Sequence, residues 1–181
     1  MKILIIGGGR QIGHFILRKL SLNNNNKIFI FNRTKKDYSN YNIYKHYIGD
    51  RNTDFTIIKE DTFDCIVDLC AYNLNLNISS LSYFRDKTNN YIFISTSYIY
   101  HYLYPEKYKI NPNVINKSEI YNYAKEKHLI ENYILDNFKI NHIVRSVPLV
   151  SHIDYTQRTS ILINYLKCKA IYKQIYKKSI Q

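Results

Sequence analysis

The chain has 181 residues, 45% of them hydrophobic, a formal net charge of +12, 19 tyrosines, five glycines, three cysteines and no tryptophan. That length suits one domain with a sizeable core and argues against a disordered chain. No apolar run approaches the length of a membrane span, and the opening MKILIIGGG offers too short an apolar stretch for a secretion signal, so a cytoplasmic protein with reduced thiols is expected.

The skew toward Ile, Asn, Lys and Tyr runs evenly through the chain and reads as codon bias. It accounts for most of the positive charge, although Lys167, Lys169, Lys173, Lys177 and Lys178 form a tail that meets no acid. Excess basicity attracts nucleic acid. No aromatic-basic RNA motif stands out from the composition, so a nucleic-acid partner is not expected. Cys65, Cys70, Cys168 and the scattered histidines lack metal-ligand spacing, so no metal is expected. The same bias devalues motifs built from Lys, Asn or Tyr and raises the value of any built from Gly.

Residues 3–6 (ILII) read as a strand buried on both faces. Gly7, Gly8, Gly9 and Gly13 follow in GGGRQIG, four of the five glycines. Ile12, Phe15, Ile16 and Leu20 then recur at helical spacing until the asparagine run at 23–26. Strand, glycine turn and helix form the setting in which a backbone can approach a pyrophosphate, with the helix N-terminus facing its charge. Gly7, Gly9, Arg10, Gln11, Ile12 and Gly13 are the candidate contacts; a tight turn without a ligand is the plain alternative.

Residues 27–32 (KIFIFN) read as a second strand and 44–48 as a weaker third, ending in Gly49-Asp50-Arg51. Residues 63–69, 91–95 and 142–147 supply three more, with helical stretches near 53–60, 75–85 and about 118–137. Strands alternating with helices predict an α/β fold: a Rossmann-type, doubly wound parallel sheet of about six strands with helices on both faces. The expected organisation is a nucleotide-binding domain over 1–155 and a helical segment over 156–181. In that segment Ile161, Leu162, Tyr165, Leu166, Tyr172 and Ile175 keep roughly helical spacing.

The acid that usually receives the ribose hydroxyls of NAD is missing. Asn32 stands in its place, followed by Arg33, Lys35 and Lys36. Cations suit a 2′-phosphate, so NADP is expected rather than NAD, with Asn32 and Arg33 as contacts; solvated loop charges are the alternative.

Together these signposts resemble the short-chain dehydrogenase/reductase superfamily, in its extended and atypical NAD-dependent epimerase/dehydratase branch. GGGRQIG is similar to the atypical glycine motif, and FNR at 31–33 to the end of the second strand. GDR at 49–51 is similar to the adenine-side loop, which implies Asp50 and Arg51 as cofactor contacts. ISTSYIY at 94–100 resembles the fifth strand with its active-site Ser/Thr, and YNYAK at 121–125 the catalytic helix. The match covers about residues 1–165.

Five Tyr-x-x-x-Lys pairs occur: Tyr41/Lys45, Tyr83/Lys87, Tyr121/Lys125, Tyr123/Lys127 and Tyr165/Lys169. The resemblance requires the pair on the helix after the fifth strand, two to three dozen residues beyond the Ser/Thr, and Tyr121 fits. Tyr123, turned by about 200° on the same helix, is expected to face away. The resemblance implies that Tyr121 moves the proton, that Lys125 lowers its pKa and bonds the nicotinamide ribose, and that Thr96 holds the substrate oxygen.

Departures from the pattern shape the functional expectation. Ser97-Tyr98 follow Thr96 where dehydratases place Asp-Glu, which disfavours dehydration. Arg145-Ser146, Pro148 and Ser151-His152 stand where an Arg-Pro and a Gly-Pro are usual. The family's last third forms a lobe over the substrate, which this chain is expected to lack. A reductase or epimerase acting on a sugar nucleotide or carbonyl compound, truncated or degenerate, is the leading expectation. The alternative is a non-catalytic relative that senses cofactor or binds RNA. No G-x-S-x-G elbow supports a hydrolase. The C-terminal helix is expected to pack on the domain or, next, to form a homodimer.

Overall fold

The computed structural model describes residues 1–107, 119–147, 149, 157, 160, 161 and 163–167. The chain divides into two units, 1–147 and 148–181. In the second unit, residues 160, 161 and 163–167 are helical. The expected apolar positions Leu162, Tyr172 and Ile175, together with Pro148, Ser151, His152 and Cys168, lie outside the described residues.

The first unit contains β1 (Lys2–Ile6), α1 (Gln11–Leu20), β2 (Lys27–Asn32), β3 (Lys45–Ile48), a single 3-10 turn (Phe55–Ile57), β4 (Cys65–Asp68), α2 (Leu74–Arg85), β5 (Asn90–Thr96), α3 (Ile99–Leu103), α4 (Glu119–Asn137) and β6 (Ile140–Ser146). All six strands are parallel, in the order β3-β2-β1-β4-β5-β6. This is the expected α/β, Rossmann-type doubly wound sheet.

Its strands are apolar runs because both faces are covered. On one face Leu4, Ile6, Phe29, Phe31, Ile66, Tyr91 and Phe93 pack with Leu81 and Phe84 of α2 and Ile130 and Ile134 of α4. On the other, Ile3, Ile5, Ile28, Ile30, Cys65 and Val67 pack with Leu17 of α1. Fully burying each such side chain contributes about 1.5–3 kcal/mol.

Two local expectations fail for physical reasons. The helix expected over 53–60 is only the turn Phe55–Ile57. Asp54 closes its loop instead, its carboxylate accepting from the backbone N–H of Asp50 at 2.8 Å. α3 was not expected; five residues are too few to show a helical period.

Strand order reverses between β1 and β4, and the crevice beyond the C-terminal ends of strands at such a switch point is where doubly wound sheets take ligands. The glycine turn leaves β1 at this point, and Asp68 to Cys70 leave β4.

Candidate functional site

The glycine turn is shaped by contacts that admit no side chain. Gly7 has φ +87°, and a Cβ there would lie 2.8 Å from the Cβ of Cys70. Gly13 packs so closely on the Gly8 backbone that a Cβ would collide with it, which draws α1 against the turn. Arg10 is the exposed N-cap of α1, with extended backbone, and no acidic residue lies in the first turn. Gln11 and Ile12 are half-buried in that turn. The positive end of the helix dipole therefore carries no counter-charge from an acid of its own first turn.

At the end of β2, Asn32 is committed to neighbours. Its side-chain N–H donates to the Tyr38 hydroxyl at 2.6 Å, and its Oδ1 accepts from His46 Nε2 at 2.9 Å. Arg33, Lys35 and Lys36 are exposed beside it. Lys36 reaches back across the glycine turn and donates to the Gly9 carbonyl.

The loop after β3 splits its two candidate residues. Asp50 is half-buried and accepts from the Asn52 backbone N–H at 2.8 Å. Arg51 is buried, 7% exposed, and points into the protein. Its Nη1 donates to both carboxylate oxygens of Asp68 at 2.7 Å, and its Nη2 to Ser80 at 3.2 Å. Tyr91 also donates to Asp68, at 2.6 Å. Burial opposes the Asp68 charge, but Arg51 holds its pKa below the ordinary value, and the same pairing raises that of Arg51. Arg51 thus has a structural occupation that the resemblance did not imply.

Thr96 closes β5, buried, with its hydroxyl oxygen accepting from the Tyr98 backbone N–H at 3.3 Å. Ser97 N–H donates to the Ser146 carbonyl at 2.8 Å, tying the ends of β5 and β6 together.

α4 carries both Tyr-x-x-x-Lys pairs, and the structure treats them differently. Lys125 is exposed. Tyr121 is half-buried, its ring 5.0 Å from that of Tyr102 in α3. Lys127 is 1% exposed. Its ammonium donates to the Ile94 carbonyl at 2.9 Å and lies 4.5 Å from the Phe93 ring, 4.8 Å from Tyr72 and 5.9 Å from Tyr123. Burial pulls the Lys127 pKa down to about 8, against the attraction of Asp68. Of the two lysines Lys127 is the buried one, and Tyr123, one helical turn before it, lies on its side of α4. The reason is packing. Ala124, Lys127, Ile130, Glu131 and Ile134 form the stripe that meets the sheet.

That stripe was a signal available in the sequence. Stepping back by threes and fours from Phe138 through Ile134 and Ile130 arrives at Lys127 and Ala124, and leaves Lys125 outside. Sequence reasoning also missed Tyr38 and His46, which meet Asn32 from a loop and from β3.

Chemically, the C-terminal edge of the sheet carries a side-chain-free glycine turn, exposed cations at the β2 end and a strand-end threonine, and an amine of depressed pKa lies buried one helical turn from a phenol. Among the described residues, no group of three or more His, Cys, Asp and Glu could hold a metal ion, and no helix is long and apolar enough to cross a membrane.

The sequence matches no protein-family model and no curated protein sequence. Solved structures do match. A protein from Bacillus halodurans described as a NAD-dependent epimerase/dehydratase is similar over 84% of this chain, with a TM-score of 0.60 at 14% identity. UDP-glucuronic acid 4-epimerase from Bacillus cereus, solved in complex with NAD, is similar over 85% of the chain (TM-score 0.59, 22% identity). An oxidoreductase from Lactococcus lactis is similar over 80% (TM-score 0.56, 20% identity). The chain spans 72% of the first of these proteins, 58% of the second and 68% of the third. At such identities the likeness establishes the fold, that of NAD-dependent epimerase/dehydratase and short-chain dehydrogenase proteins.

Proposed function

We propose that this chain is a nicotinamide-dinucleotide-binding protein of the short-chain dehydrogenase/reductase type, acting as a reductase or epimerase on a sugar nucleotide or small carbonyl compound. The observation that carries this is the side-chain-free glycine turn at the β1/β4 switch point, packed directly onto the N-terminus of α1. The likeness to an epimerase solved with NAD supports the class of cofactor.

NADP is the preferred form. Arg33 and Lys35 offer positive charge where an NAD site offers an acid, and charge-assisted hydrogen bonds suit a phosphate. Gly7, Gly9, Arg10, Gln11, Ile12 and Gly13 cradle the pyrophosphate, and Asp50 borders the adenine. When bound, the cofactor supplies or accepts the hydride at a carbon.

For the proton, burial favours Tyr123 and Lys127 over the pair expected from the motif order. A lysine cation one turn away stabilises a phenolate, and it does so most strongly when little water screens it. Lys127 is nearly dry, whereas Lys125 is in water. Thr96 holds the substrate oxygen. This leaves Arg51 as the residue that fixes the loop beneath Asp50, not as a cofactor contact.

Titration of the purified chain with NADPH and NADH, followed by nicotinamide fluorescence, tests the reading. Saturable NADPH binding that Gly13→Ala removes supports it. Indifference to both cofactors defeats it.

A further inference from the structure

We infer that His46, one strand away from the β2 end, makes that end a donor surface and so sets which dinucleotide it accepts. The inference rests on the dinucleotide-binding reading and adds to it a residue that does not touch the cofactor.

A ribose diol and a 2′-phosphate ask for opposite partners. The diol presents hydroxyl protons and is best held by an acceptor, such as a carboxylate. The phosphate presents oxygens only and is held by donors. An asparagine could serve either, because its amide has an acceptor oxygen and a donor nitrogen. Here the choice is already made.

His46 Nε2 lies 2.9 Å from Asn32 Oδ1, while Asn32 Nδ2 donates to the Tyr38 hydroxyl at 2.6 Å. An oxygen can only accept, so the imidazole must carry its proton on Nε2. Tyr38 accepts from Asn32 and so has its own O–H proton left to donate. His46 thereby takes one of the two acceptor positions of Asn32 Oδ1 and fixes which way the amide faces. The donors left at the strand end are the Tyr38 hydroxyl proton, the second N–H of Asn32 and the exposed cations Arg33 and Lys35, with Lys36 drawn to the Gly9 carbonyl.

Packing holds the arrangement. Strands β2 and β3 set Asn32 beside Ile48 and Ile30 beside His46, so the histidine reaches the strand end from two residues back. The Tyr38 ring stands edge-on to the His46 ring, with centroids 5.0 Å apart. Burial lowers the His46 pKa and so disfavours the charged ring. A neutral or a protonated ring still donates through Nε2, so the device is not a pH switch.

The test measures affinities for NADPH, NADH, adenosine 2′,5′-bisphosphate and ADP on wild type, His46→Phe, His46→Gln and Tyr38→Phe, each checked for folding by circular dichroism. His46→Phe keeps a ring and removes the donor. It frees Asn32 Oδ1, and the NADPH-over-NADH preference is expected to fall on the order of tenfold, mainly through tighter NADH. His46→Gln restores an N–H donor and should recover much of the preference, which a merely structural role for the ring would not predict. Tyr38→Phe should weaken the bisphosphate more than ADP, and it keeps the test decisive if His46→Phe does not fold. An unchanged ratio in the folded variants overturns the inference. A wild type that prefers NADH overturns it too, leaving dinucleotide binding intact. Binding of none of the four ligands overturns the dinucleotide reading, and the inference with it.

Discussion

The ammonium of Lys127 donates to the carbonyl oxygen of Ile94 at 2.9 Å, inside the buried contact between α4 and the sheet. A lysine at 1% exposure costs free energy, because its charge has left water with only partial compensation. One carbonyl and three aromatic rings offset part of that cost. Placed between the ends of β4 and β5, it is the kind of perturbed titratable group that marks functional crevices.

Lys127→Met should therefore separate stability from function. The apolar side chain fits the same volume without the desolvation penalty, so the melting temperature should hold or rise. Turnover should vanish and NADPH affinity should drop, while Lys125→Met changes neither. Thermal melting and cofactor titration check this. Loss of function from Lys125→Met alone would restore the pair expected from motif order.

The same lysine gives the protein a pH signature. Its pKa is about 8 folded, against 10.5 for an ordinary lysine. Below about pH 8 both states carry the proton, and the burial penalty is at its full size. Between about 8 and 10.5 the unfolded chain binds more protons than the folded one, so this group makes stability rise with pH. The penalty being relieved is on the order of 3 kcal/mol at most. Wild type should gain on Lys127→Met as pH increases from 7.5 to 10, in denaturant melts at fixed ionic strength. Parallel curves would show that the lysine is not buried charged.

Much of the fold was legible because parallel strands buried on both faces must be short apolar runs, as ILII and KIFIFN are. The glycine cluster was legible for the opposite reason: a glycine-poor chain spends glycine only where a side chain cannot fit, as Gly7 and Gly13 bear out. The lysine was harder. Motif order along the chain points to Lys125, whereas helix phase is set by Ala124, Ile130 and Ile134 against the sheet, and phase decides which lysine is dry. The pairing of Arg51 was hidden for a related reason, since its partner Asp68 is 17 residues distant and only the strand pairing brings them together.

Arg33→Ala should weaken NADPH binding by roughly 1–3 kcal/mol while leaving NADH nearly unchanged, since only the phosphate loses a charged donor. Isothermal titration with both cofactors reads the difference. Equal losses would assign Arg33 to the pyrophosphate or to general electrostatics, and raising the salt concentration would then weaken both cofactors alike.

Arg51 and Asp68 permit the sharpest distinction between holding the fold and holding the cofactor. Asp68 is completely buried and accepts from Arg51, Tyr91 and the Cys70 backbone N–H. Removing the cation leaves an uncompensated carboxylate in the core, which costs about 3–5 kcal/mol. Arg51→Met should therefore melt far below wild type. Arg51→Met with Asp68→Asn removes both charges and leaves an amide that Tyr91 and the Cys70 N–H can still satisfy. Most of the stability should return in that double variant. If Arg51 serves only this pair, the double variant binds NADPH within a few-fold of wild type, provided the loop carrying Asp50 keeps its turn. The four proteins of this cycle need both melting curves and cofactor titrations. A double variant that recovers its melting temperature but not its affinity would make Arg51 a cofactor contact after all, as the glycine-aspartate-arginine motif implied.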